Sequence, residues 1–260
     1  MQNKHYLWMV LGLSAWLWSG SLASLPGQVP PLQTPPEQPP PAPVLPAPLP
    51  EADLQDNPVS LEPLKGKVTA VVLSSQDNEQ EISTVSRELL AALNSDRDRY
   101  AFVSIMDLGV VPDFAREVAV GIIEGRLEQA DRDLASRLEL SGQKLAPGVK
   151  LQLPDWNGER TLAWLQASPD PEYAVFRGNP RSRFERERTE REQQRLRSYA
   201  QVFVLHWDFT LKAHFSGRSA GAKAAELMRA LAQQASTAPD LSAIHSPPLR
   251  SHRPPSLSGR

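Results

Sequence analysis

The chain has no cysteine. That absence excludes a disulfide framework, thiolate metal ligands, a thiol nucleophile and lipid anchoring through sulfur. An excess of one charge is lacking too. The 28 basic and 30 acidic residues leave a net charge of −2, so no global field draws the chain to nucleic acid or to an anionic surface. No phosphate-binding loop, dinucleotide fingerprint, zinc-protease helix or G-x-S-x-G elbow occurs. No catalytic residue, cofactor or metal is implied by motif.

Long apolar runs are also scarce. One exists, Tyr6–Trp18, preceded by Lys4 and followed by Ser21-Leu22-Ala23, with small residues placed for cleavage after Ala23. This predicts a signal peptide over residues 1–23, with an uncleaved N-terminal anchor as the alternative. The run is short for a bilayer span, and no other stretch is apolar enough. The mature chain is therefore expected to be extracytoplasmic, periplasmic or secreted, with no membrane span and no nucleic-acid partner.

Proline is what the chain has in excess. Thirteen of the 25 lie between Pro26 and Pro58, and five more follow Ala238. Residues 24–63, centred on PPEQPPPAPVLPAPLPE, read as a disordered linker preferring extended polyproline II. At about 3.1 Å per residue it would hold a domain well away from a membrane or wall. Residues 237–260 read as a disordered tail. That leaves 64–236 as one domain, long enough to bury a core.

Within it, Lys67–Leu73 (KVTAVVL) is apolar on both faces, as a central strand should be. Asn78 and Glu81 have capping-box spacing ahead of a helix whose Ile82, Val85, Leu89 and Leu93 share one face. Tyr100–Leu108 is a second strand, so this strand–helix–strand unit predicts a parallel crossover. Pro112 opens a long helix, with Phe114, Val118, Ile122, Leu127, Leu134 and Leu138 near helical spacing and Gly121 and Gly125 as bends. Leu151–Leu153 and Tyr173–Arg177 fit short strands, Thr161–Leu165 a helical turn.

Eight arginines and four glutamates crowd Arg177–Arg197. Ser182 and Glu185 fit a capping box, and Glu187 with Arg191 an i,i+4 pair on an exposed helix anchored by Phe184 and Leu196. Such mixed charge reads as a solvated face, with a contact surface for phosphate or anionic lipid as the alternative. Val202–Gly217 then predicts a hairpin turning at Trp207-Asp208. This register sets His206 by Phe209 and His214 by Gln201, too far apart to share a metal. Its second strand alternates apolar with polar and makes a sheet edge guarded by Lys212. Ser219 caps a last helix with Ala220, Ala224, Leu227, Met228 and Leu231 on one face.

VFVLHWDFTLKAHFSGRSAGAKAAELMRAL resembles the C-terminal half of thioredoxin-like domains, and KVTAVVLSSQDNEQEISTVSRELLAAL resembles the N-terminal half. The resemblance implies an α/β fold: a mixed sheet with a C-terminal β-hairpin and closing helix, here with a long insertion over 112–197. Where that superfamily carries its redox cysteines this chain has Ser74-Ser75-Gln76-Asp77-Asn78. The proline expected before the third strand is missing at Tyr199-Ala200-Gln201. Dithiol exchange and thiol peroxidase chemistry are therefore excluded, and the resemblance implies a scaffold only.

In that topology Ser74, Ser75, Asp77, Asp107, Gln201 and His214 line the rim at the carboxyl ends of the strands, where open α/β sheets place their sites. Trp156 reads as a recognition corner or, with Trp164, as a cap over the core. The expected function is a non-catalytic binding or assembly module of the cell envelope. Its partner would be another envelope protein, or a peptide added to the edge strand Phe209–Phe215. The alternatives are an enzyme with a non-thiol site at the rim, such as a serine activated by His214, and a spacer or tether.

Overall fold

A computed structural model describes residues 44–237. The expected signal peptide, linker residues 24–43 and the tail from 238 lie outside the described residues. Among the described residues no helix is long and apolar enough to cross a membrane.

Five strands form one sheet: β1 (Val68–Ser74), β2 (Tyr100–Asp107), β3 (Val149–Asp155), β4 (Gln201–Leu205) and β5 (Leu211–Ser216). Their order is β3-β2-β1-β4-β5. β1, β2 and β3 run parallel, β4 is antiparallel to β1, and β5 to β4. α1 (Glu79–Ala92) makes the crossover from β1 to β2, and α2 (Arg116–Leu140) lies between β2 and β3. α3 (Glu159–Ala167) and α4 (Arg183–Arg197) precede β4, and α5 (Ala220–Thr237) closes the chain.

Because strand side chains alternate, β1 and β4, mostly apolar and buried on both faces, feed two cores. Val68, Ala70 and Val72 meet α1, through Ile82, Val85 and Leu89, and α5, through Ala224 and Met228. Val71, Leu73 and Phe203 on the opposite face meet Trp164 and Leu165 of α3. The two helices α1 and α5 touch backbone to backbone. A β-carbon on Gly221 would sit 2.5 Å from the Val85 carbonyl oxygen, so that position admits no larger residue without a shift.

Several expectations are corrected. Residues 44–63, assigned to the linker, pack on the second core: Ala47 and Leu49 are buried, and the Trp164 indole N–H donates to the Pro48 carbonyl (3.2 Å). Prolines rule out a ladder there but leave apolar side chains between them to cover the sheet. Tyr173–Arg177 is no strand. Pro171–Phe176 is a 3₁₀ turn capped by Asp170, and its three-residue period turns both Tyr173 and Phe176 inward.

The hairpin turns over residues 206–210 rather than at two residues. The Phe209 N–H donates to the His206 carbonyl and the His206 N–H to the Thr210 carbonyl, both at 2.9 Å. Phe209 takes a left-handed conformation, φ 65°, which turns its ring into the core. The resulting bulge sets His214 opposite Phe203, not Gln201. The edge strand therefore starts at Leu211, with Phe209 outside it.

α2 continues unbroken through Gly121 and Gly125, yet only its C-terminal part, at Leu134 and Leu138, is buried. Phe114, Val118 and Ile122 face solvent. On α4 the Ser182–Glu185 capping box is present, but Phe184 is exposed, leaving Leu196 as the anchor. Glu187 pairs with Arg183 instead of Arg191, whose Nε donates to the Glu187 carbonyl.

Candidate functional site: a closed sheet rim

Strand directions bring the end of β1, the ends of β2 and β3 and the start of β4 to one edge. The loop Ser74–Asn78 leaves β1 there. Asn78 does not cap α1 with its side chain. Its Oδ1 accepts the Ser75 N–H (2.8 Å), while Nδ2 faces the carbonyls of Leu73, Arg197 and Tyr199 at 3.4, 3.3 and 3.1 Å. One amide thus ties the loop to the exit of α4. Gln194 Nε2 donates to Asp77 Oδ2 (3.2 Å), and the Ala200 N–H donates to Glu81 (3.3 Å). Ser75 Oγ is buried with no partner among the described residues.

Asp107 is similarly occupied. Its Oδ1 accepts the Gly109 N–H (3.2 Å), and its Oδ2 lies 3.7 Å from Arg197 Nη1. Gly158, at φ 71°, comes so close that a β-carbon would lie 3.2 Å from Asp107 Oδ1. Here glycine meets both a backbone and a space requirement.

Gln201 and His214 belong to a separate, inner network. Gln201 Nε2 donates to the Leu196 and Tyr199 carbonyls (2.6 and 3.1 Å), which fixes its Oε1 as an acceptor for the Tyr173 hydroxyl (2.7 Å). His214 Nε2, 2.8 Å from the same oxygen, then carries the hydrogen. Its Nδ1 accepts from Ser168 Oγ at 2.7 Å. The imidazole stacks on Phe203 with centroids 4.1 Å apart. Burial pushes its pKa down to about 4, against a weaker upward pull from Asp170, so it is neutral at pH 7. His206 lies at the other end of β4, its Nδ1 3.0 Å from Asp208.

The six expected rim residues therefore do not converge. The Ser74 hydroxyl lies 3.5 Å from the Ile105 carbonyl, the Ser75 N–H, Asp77 and Asp107 are held in loop contacts, and Gln201 and His214 lie beneath. Trp156 stands past β3, half-buried, with the Arg116 guanidinium 5.0 Å over its ring. The serine paired with His214 is Ser168, which is fully buried and also accepts the Asp170 N–H, so its hydroxyl is enclosed although its spacing to the half-buried imidazole is that of a nucleophile and base. Among the described residues no three acids or histidines gather as a metal would need. Sequence reading missed Ser168, Arg197 and Tyr173. Only the Ser168-Pro169-Asp170-Pro171 turn chemistry pointed toward that corner.

No family model matches the chain, and no curated protein does. Solved structures that align with it include a secreted disulfide oxidoreductase from Mycobacterium tuberculosis: 13% identity, 70% of this chain, 94% of that one, TM-score 0.34. A thioredoxin-family thiol:disulfide interchange protein from Chlorobium tepidum aligns at 9% identity over 73% of this chain and 98% of that one, TM-score 0.40. Another interchange protein, from Bacteroides sp., aligns at 13% identity over 76% and 93%, TM-score 0.38. The chain's own topology decides the fold: β2-β1-β4-β5 with a parallel first pair, an antiparallel hairpin, and α1 and α5 sharing one face. The fold is thioredoxin-like. In this thioredoxin-like chain the loop after β1 carries no sulfur, and the Asn78 amide seals it against α4.

Proposed function

We propose that the chain is a non-catalytic binding or assembly module of the cell envelope, exported by its N-terminal segment and built on a redox-inactive thioredoxin-like scaffold. The closed rim carries this reading. Asn78, Asp77 and Asp107 are engaged in tying loops together, Asn78 above all, and the hydroxyl that pairs with the half-buried His214 belongs to the fully buried Ser168. Exposed apolar residues at the start of α2, Val118 and Ile122, with Phe114 in the turn ahead of it, support a macromolecular partner. β5 is also a sheet edge, open to strand addition on the side away from β4.

Complementation of a deletion strain tests the reading. Ser75→Ala with Asp107→Ala should restore whatever the deletion loses. Phe114→Ser with Val118→Ser and Ile122→Ser should not, although that protein remains folded and exported. If the rim variant fails while the surface variant succeeds, the site is catalytic and the proposal is wrong. Mass spectrometry of the mature chain should find Ser24 at its N-terminus.

A further inference from the structure

Two exposed helix faces are unpartnered and opposite in character. Phe114, in the 3₁₀ turn just ahead of α2, and Val118 and Ile122 on α2 are 90%, 65% and 53% exposed and are spaced four residues apart. Gly121 and Gly125 share that row, with nothing within 4 Å of where their β-carbons would stand, so a partner can approach the backbone closely. Glu117, Glu124 and Glu128 line one flank at i, i+7 and i+11. Glu117 has no ion-pair partner among the described residues, Glu124 accepts from Gln55, and Glu128 lies 3.5 Å from Arg132.

On α4, Phe184 is 83% exposed, and Arg188 and Arg191 follow it at i+4 and i+7. The Arg188 guanidinium has no hydrogen bond or ion pair among the described residues, and Arg191 reaches a backbone carbonyl only. One face is apolar with a row of acids. The other is an exposed aromatic with a row of arginines, whose hydrocarbon stems cover apolar surface while their charged heads reach outward.

We infer that α4 of one copy of this chain docks on the apolar row of α2 of the next copy. Phe184 enters the open space over Gly121 and Gly125, and Arg188 and Arg191 lie along the row with their guanidinium groups at Glu117, Glu124 and Glu128. Two other coverings fit worse. An anionic bilayer meets the acidic flank, and antiparallel packing of α2 on its own copy sets the two acidic flanks together. Because the joined faces differ, the contact is heterologous and adds copies head to tail. The area is small, so association is weak and salt-sensitive.

This inference rests on the binding-module reading, and sedimentation velocity on the full mature chain tests it. The sedimentation coefficient should climb with concentration past the dimer and fall back when salt is added. Phe184→Ser with Arg188→Glu, and separately Val118→Ser with Glu117→Arg, should each lower the association constant about tenfold or more while keeping the wild-type circular dichroism. Mixed together, these variants should give a one-to-one dimer and nothing larger, since each retains one intact face. A chain monomeric at every concentration overturns the inference, as does a plateau at the dimer that the α4 variant leaves unchanged. If the chain stays monomeric while the α2 variant still fails to complement the deletion, head-to-tail assembly is wrong and the binding-module reading stands.

Discussion

Asn78 shows how far one side chain's role depends on neighbours distant in sequence. Its position before a helix and three residues ahead of Glu81 reads as a cap, but Arg197 and Tyr199 arrive with two carbonyls and claim the amide. Nothing local announces them. Asn78→Ala removes these bonds, although the Tyr199 carbonyl keeps Gln201 Nε2, so it should cost about 1–2 kcal/mol in urea unfolding, against less than about 0.5 for the exposed Gln76→Ala. His214 gives a pH effect with a definite sign. Its folded pKa of about 4 lies below the unfolded value near 6.5, so the folded state resists protonation. Stability is full above pH 6.5, declines as the pH falls from there toward 4, and levels off below that. The loss amounts to about 3 kcal/mol. His214→Gln should remove this component. The difference between the two proteins' stability-versus-pH curves isolates it from the carboxylates that titrate in the same range.

At the scale of elements, legibility followed the periodicity of burial. β1 and β2 were readable as short runs buried on both faces, and α1 and α5 because each buries one face at period 3.6. Tyr173–Arg177 was not, because five residues are too few to tell the two-residue period of a strand from the three-residue period of a 3₁₀ turn, which here buries Tyr173 and Phe176. α2 misled in another way. Its pattern runs the whole length, but the core beneath it extends only under Leu134 and Leu138, leaving the amino-terminal half to solvent. The helix itself was thus evident and its contact partner was not. The α1–α5 contact supplies an element-scale test. Gly221→Ala drives a methyl group into the Val85 carbonyl and should lower stability by about 1–3 kcal/mol, although alanine favours an isolated helix. Calorimetry on the two proteins checks the sign.

For the whole molecule, the largest departure from the sequence reading is the reach of the folded unit. Composition alone makes residues 44–63 look like the rest of the proline-rich segment, because proline content says nothing about where the intervening leucines go. Ala47 and Leu49 cover the sheet face that holds Trp164, so this stretch acts as a strap. Leu49→Ala in the full chain should cost about 2 kcal/mol and red-shift tryptophan emission, whereas Leu45→Ala, at a half-buried position, should do less. The fold family was legible from the chain's two ends, where hairpin, glycine and last helix follow directly. The contacts that tie down the rim were not, because they come from the end of α4 and the Tyr199–Ala200 stretch after it, far along the chain from the loop they hold.

The pairing of β1 with β4 sets the order in which this protein can be made. Thr69 bonds across to Leu205, its partner more than a hundred residues downstream. A chain that emerges from a ribosome or a translocon amino-terminus first presents β1, β2 and β3 with one flank of β1 open and both cores half-roofed. β4, β5 and α5 arrive last. Closing so long a loop costs about 4 kcal/mol in entropy before any contact returns it, which places sheet completion late and slow. Until then the newborn molecule shows an apolar strand edge to its surroundings. A holding chaperone would find its target there, and only for as long as β4 and β5 are missing.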